Sequence, residues 1–297
     1  MTAHIENTLE FSLCADDETA IFVRDWPLAR SDTPGQTGPA EGVLIMHGLG
    51  EHCGRYAHVA RFFNALGFIV RTYDHRGHGQ SGGRSGDVPD DAALLRDAEL
   101  VINDFRRQLD GPPILLGHSM GGLFAARFAT GAIAPIKALI LSSPALAIDM
   151  SGLQHGFLRF ASAVFPGLAI PNGLKAHFLS HDAEVVYAYK NDKLVHGKIS
   201  ARLLNSMLNA MDFSLQHASG LKVPILLLAA LDDHLVNPEG SKLFSGVCSP
   251  QWMTAHLYPG FYHEIFNELE ATKVFDDIRT WLEVRHLSPI RSESPTV

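Results

Sequence analysis

Apolar runs of three to five residues alternate along the chain with longer segments in which apolar positions recur every three or four residues. Val43-Leu-Ile-Met46 reads as a strand, Val59, Phe62, Phe63 and Leu66 share one face of a helix, and Phe68-Ile-Val70 reads as the next strand. The alternation continues through a helix bearing Leu94, Leu95, Ala98, Val101, Ile102, Phe105 and Leu109, then Ile114-Leu-Leu116, a helix from about Gly121, and Ala138-Leu-Ile-Leu141. Strands that are apolar at every position are buried on both faces, as in a parallel sheet covered by helices. Two earlier runs, Thr8 to Cys14 and Ala20 to Trp26, predict an antiparallel hairpin leading into that sheet.

The alternation stops after Ser143-Pro144. Beyond it Leu153, Phe157, Phe160, Ala161 and Val164 form a helical stripe, broken by Pro166, Pro171 and Gly173. The sheet pattern returns at Val223 to Leu228 and Met253 to Tyr258, and a last helix is expected to carry Ile265, Leu269, Phe275, Ile278 and Leu282. The expected organisation is an α/β core over residues 1–146 and 220–287, with a helical cap inserted at 147–219 and a Ser- and Pro-rich disordered tail at 288–297.

Composition narrows the functional classes. The 297 residues carry a formal charge of −8 and no Lys/Arg block, which argues against nucleic acid, whose phosphates must be neutralised. The longest apolar stretch, Pro224 to Leu231, is too short for a hydrocarbon core of about 30 Å, so any membrane contact is expected to be peripheral, through the cap. Acidic residues at positions 6, 10, 16, 17 and 18 stand where a signal peptide needs a basic start, which makes the cytoplasm the expected location. Cys14, Cys53 and Cys248 are scattered and read as free thiols.

Gly-x-Ser-x-Gly occurs twice, as Gly117-His-Ser119-Met-Gly121 and as Gly79-Gln-Ser81-Gly-Gly83. Only the first follows a buried strand and opens a helix, the turn that holds a serine strained and exposed; Ser81 reads as loop. A serine hydroxyl needs an imidazole base, and the base needs an acceptor that fixes its tautomer. Both are available after late strands: His263 follows the strand ending near Tyr258, and Asp232-Asp233 follows the strand ending at Ala230. His118 would project beside the serine, and His234 sits on the acid loop, so neither is the expected base. Spacing alone does not choose between Asp232 and Asp233. Backbone N–H groups of Met120 and of Leu49, in His47-Gly-Leu-Gly50, are the expected oxyanion donors.

No metal and no cofactor are expected. Asp74, His75 and His78 lack a fourth ligand, His263-Glu264 lacks a histidine four positions on, where Asn267 stands, and there is no phosphate-binding Gly-x-x-x-x-Gly-Lys.

Four motifs together, His47-Gly-Leu-Gly-Glu-His-Cys-Gly-Arg-Tyr56, Asp74-His-Arg-Gly-His-Gly-Gln-Ser81, Gly117-His-Ser-Met-Gly-Gly122 and Gly260-Phe-Tyr-His263, resemble the monoacylglycerol lipase and lysophospholipase branch of the α/β-hydrolases over nearly the whole chain. The resemblance implies the α/β-hydrolase fold, a triad of Ser119, Asp233 and His263, and oxyanion donors at Leu49 and Met120. It also implies hydrolysis of small-molecule lipid or other carboxylic esters with one acyl chain. Phe157, Phe160 and Val164, with Phe165, Leu168 and Ile170, are expected to form an apolar wall for that chain. An aminopeptidase of the same fold is the alternative, with Asp182 and Glu184 available to hold an amino group; a non-catalytic ligand-binding role is a further one. Activity is expected to rise as His263 loses its proton around the ordinary imidazole value of about 6.5.

Overall fold

The computed structural model describes residues 8–28 and 40–289. A hairpin of β1 (Leu9–Cys14) and β2 (Ala20–Trp26) leads into β3 (Gly42–Met46), α1 (Ala57–Ala65), β4 (Ile69–Tyr73) and α2 (Ala93–Phe105). Next come β5 (Ile114–His118), α3 (Met120–Thr130) and β6 (Ala138–Ser142). The insert holds α4 (Gly152–Val164), β7 (Ala169–Pro171), α5 (Ala183–Asn191), β8 (Lys198–Ser200) and α6 (Ala201–His217). The chain closes with β9 (Ile225–Ala230), α7 (Pro238–Val247), β10 (Met253–Tyr258) and α8 (Ala271–Val284).

Eight strands form one sheet in the order β1-β2-β4-β3-β5-β6-β9-β10, parallel from β4 through β10 and antiparallel at β1/β2 and β2/β4. Its central strands are apolar throughout because each supplies two cores. Val43, Ile45, Leu116 and Leu228 pack toward α1 and α8 with Phe63, Ile278 and Trp281. Leu44, Met46, Leu115 and Leu227 pack on the other face with Ile102, Phe124 and Phe128. The last helix of the insert joins this second core through Leu203, Met207 and Ala210.

Three features depart from expectation. Ile265 and Leu269 are not on the last helix, which begins at Ala271. The backbone between them is engaged elsewhere: Ile265–Asn267 is a separate 3-10 turn, and the Asn267 carbonyl accepts from Ser180 of the insert. The insert also contains the two-stranded β7/β8 sheet besides its helices. Helix α7 was not anticipated, since its buried face is Gly240, Ser241 and Phe244, too small and polar to make an apolar stripe. The tail beyond Pro289 lies outside the described residues.

Candidate active site

Ser119 sits between the end of β5 and the start of α3 with φ 54° and ψ −119°, a left-handed conformation that is strained for a residue with a Cβ. The flanking glycines make the turn feasible. A Cβ on Gly117 would lie 2.3 Å from the Gly121 carbonyl oxygen, and one on Gly121 would lie 2.2 Å from that of Met46.

His263 and Asp233, on the loops after β10 and β9, converge on this serine. His263 Nδ1 donates to Asp233 Oδ2 at 2.7 Å, which leaves Nε2 to accept from the Ser119 hydroxyl at 2.8 Å. The other Asp233 oxygen accepts the N–H groups of Leu235 and Val236, fixing the carboxylate. Spacing left two aspartates open; here the Asp233 side chain is 1% exposed and Asp232 is 59% exposed, nearest to His234 at 4.0 Å. Burial alone would lower the His263 pKa, but the Asp233 carboxylate and its hydrogen bond outweigh it, so the imidazole is held above its ordinary value. The Asp233 carboxyl is held below its own, burial notwithstanding, by His263 and the two backbone donors. His118 faces away, bonded through Nδ1 to Ser142 Oγ at 3.0 Å, and burial with the neighbouring His263 pushes it down to about 4.

The loop after β3 closes the other side. His47 Nε2 accepts the His75 N–H at 2.9 Å, so its Nδ1 carries the proton and donates to the Gly48 carbonyl at 2.7 Å. Glu51 Oε1 accepts the Gly48 N–H at 2.6 Å, and the Gly50 carbonyl accepts from His196 of the insert at 2.8 Å. Both ends of the Leu49 segment are thereby pinned. A Cβ on Gly48 would lie 3.2 Å from the Ser119 Cβ, so the glycine permits this loop to lie against the serine. Sequence reasoning assigned no role to Glu51, although its spacing of four from Arg55 is the pattern of a paired charge on one helical face.

A cavity of about 880 Å³ opens onto Ser119, His263 and Leu49. Leu153, Phe157, Leu158, Leu168 and Ile170 line it from the insert, with Leu204 and Met207 of α6. Phe160, Val164 and Phe165, expected in the same wall, do not line it and stand exposed. Asp182 and Glu184 are also outside the lining; Asp182 caps α5 by accepting the Glu184 N–H. Such a site holds a strained serine, an imidazole fixed in one tautomer and an apolar chamber, the parts required for acyl transfer from a substrate with an apolar chain.

A family model described as serine aminopeptidase, S33, matches residues 37–270. The chain is 38% identical to a monoacylglycerol lipase of Mycolicibacterium smegmatis over 84% of its own length and 90% of that protein. It is 32% identical to a monoglyceride lipase of Rattus norvegicus, covering 91% of this chain and 88% of the other. Among solved structures, a monoacylglycerol lipase of Paleococcus ferrophilus superposes with a TM-score of 0.76 at 33% identity, over 82% of this chain and 95% of that one.

Proposed function

The chain belongs to the α/β-hydrolase family described as serine aminopeptidase, S33, and from its likeness to monoacylglycerol lipases we propose a serine ester hydrolase of that type that works through an acyl-enzyme on Ser119. The observation that carries this reading is the unbroken hydrogen-bonded line from Asp233 through His263 to Ser119 at the mouth of an apolar cavity.

His263 takes the proton of Ser119 as the hydroxyl oxygen attacks the ester carbonyl carbon. The N–H groups of Leu49 and Met120 hold the resulting oxyanion, each contributing about 3 kcal/mol in the transition state. The tetrahedral species collapses, His263 protonates the departing alcohol, and the acyl group stays on Ser119. Water, deprotonated by the same imidazole, then attacks the acyl-enzyme and releases the fatty acid. Asp233 keeps the imidazole in its reactive tautomer and stabilises the imidazolium without taking the proton.

Residues 147–219 serve as the cap in this reading. Phe157 with Leu153, Leu158, Leu168 and Ile170 receives the acyl chain. Phe160, Val164 and Phe165 stand exposed beside them and suit peripheral contact with a lipid surface. Among the described residues no helix is long and apolar enough to cross a membrane. The enzyme, cytoplasmic in this reading, meets its substrate at such a surface.

Ser119→Ala tests the proposal. Turnover of monoacylglycerols and of chromogenic acyl esters should fall to background, and a fluorophosphonate should label the wild-type protein at Ser119 alone. Hydrolysis that continues unchanged in the variant overturns it.

A further inference from the structure

The acyl-transfer scheme leaves one buried cation beside the site without a task. Arg55 lies between two carboxylates, donating from Nη1 to Glu51 Oε2 and, in a bidentate pair, from Nη1 and Nη2 to Glu264 Oε1 and Oε2 at 2.7 and 2.8 Å. The two acids belong to different walls of the site. Glu51 Oε1 holds the N–H of Gly48, the residue before Leu49, and accepts the Tyr56 hydroxyl at 2.7 Å. Glu264 follows His263 directly and stands 209 positions from Arg55 in the chain. Side-chain exposures of 12% for Arg55 and 5% for each acid show that the trio is shielded from water. The ring of Tyr189, from α5, covers the guanidinium with its centroid 4.9 Å away.

A planar guanidinium gripping a carboxylate through two parallel bonds fixes orientation as well as distance. Here the grip on one acid is continued to a second, so displacement of either loop must break a buried charge-assisted bond. Oxyanion donors and base must keep their separation to within about 0.5 Å for efficient turnover. Tyr56 on Glu51 and Asn267 on Glu264 each bond to one of the two acids, whereas Arg55 bonds to both.

We propose that Arg55 is a positioning residue that ties the Leu49 loop to the His263 loop, so that oxyanion donors and base stay in register across Ser119. The proposal rests on the roles given above to Leu49, Ser119 and His263. The charged and titratable groups around the His263 imidazole are Asp233 after β9, His118 on β5, Glu51 and Arg55 after β3, and Glu264 on its own loop. Removing Arg55 alone would change that field as well as the tie. Arg55→Met/Glu264→Gln removes one positive and one negative charge together, leaving the local net charge as it was while the tie is lost.

Steady-state hydrolysis of a water-soluble acyl ester across a pH series decides the matter. The double variant should keep the acid limb of its pH profile at the wild-type position, with kcat on the plateau lowered about 10- to 100-fold and KM nearly unchanged. Arg55→Lys, which reaches a carboxylate with one ammonium but cannot form the fork, should give an intermediate kcat. It also carries the test, together with Glu264→Gln alone, if the double variant does not fold. A wild-type plateau kcat in Arg55→Lys and in the double variant, or in Glu264→Gln where the double variant fails to fold, overturns the positioning role. If Ser119→Ala retains hydrolysis, the reading of the site fails; if Ser119→Ala is inactive and the Arg55 variants match wild type, only the tie fails.

Discussion

The main-chain N–H of Glu264 donates to the carbonyl of Leu179 at 2.8 Å, so the insert is hydrogen-bonded to the loop that carries His263. Ser180 Oγ adds a bond to the Asn267 carbonyl at 2.7 Å. The buried Glu268 completes the seam by accepting the Tyr262 N–H at 2.8 Å and His181 Nδ1 at 2.9 Å. The insert is thus bonded into the frame that carries the imidazole, besides lining the cavity.

Glu268→Ala should therefore act on both stability and turnover. It leaves the partly buried Tyr262 N–H without its carboxylate acceptor and should lower unfolding free energy by about 2 kcal/mol, read from the urea midpoint at constant m. Glu268→Gln, which retains an acceptor oxygen, should lose less than half as much. An alanine variant as stable and active as wild type would show that the seam does not support the His263 loop.

The two neighbouring aspartates should separate cleanly. Asp233→Asn presents an amide where a carboxylate accepted the imidazole proton, favours the wrong tautomer, and should lower kcat by about 10⁴ with little change in KM. Asp232→Asn alters an exposed side chain outside the Asp233–His263–Ser119 line and should leave kcat within about twofold of wild type. Comparable losses in the two variants would contradict the assignment.

The pH profile should reflect a His263 held above its ordinary value by Asp233. The proposed mechanism uses the neutral imidazole as base, so kcat/KM should rise with pH through a midpoint above about 6.5, later than an unperturbed histidine would give. Other histidines are shifted in the opposite direction. His78 and His118 are pushed down to about 3 and about 4, chiefly by burial. The unfolded chain then binds protons that the folded state refuses, so stability should fall as pH drops below about 6.5, by up to about 1.4 kcal/mol per unit for each group. Urea midpoints between pH 7 and pH 5 test this; a flat profile would count against both.

The exposed apolar residues of α4 outside the cavity lining should matter at lipid surfaces only. Phe160→Ser removes an aromatic ring that is 62% exposed and outside the cavity lining. Burying such a ring stabilises contact by about 1.5 to 3 kcal/mol, so co-sedimentation with phospholipid vesicles should weaken roughly tenfold or more. Turnover of a dissolved short-chain ester should stay at the wild-type rate. Unaltered vesicle binding would remove Phe160 from the contact surface.

What is local in this protein could be read directly from its residue order. The doubly buried strands, the helices between them and the glycine-flanked turn at Ser119 each depend on a few consecutive residues, whose backbone preferences and apolar spacing are visible in one dimension. Relations between distant segments were decided in three dimensions. Which aspartate meets His263, which apolar residues of α4 line the cavity, and how Arg55 spans two loops depend on packing that brings distant residues into contact, 30 positions apart for Asp233 and His263 and 209 for Arg55 and Glu264. The loop after His263 shows the difference within one stretch: Ile265 and Leu269 have helical spacing with Phe275, yet the Asn267 carbonyl between them accepts from Ser180 of the insert, the Leu269 N–H bonds to the Glu268 carboxylate, and the helix starts only at Ala271. Local apolar pattern cannot register such competition, because the competing partner lies elsewhere in the chain.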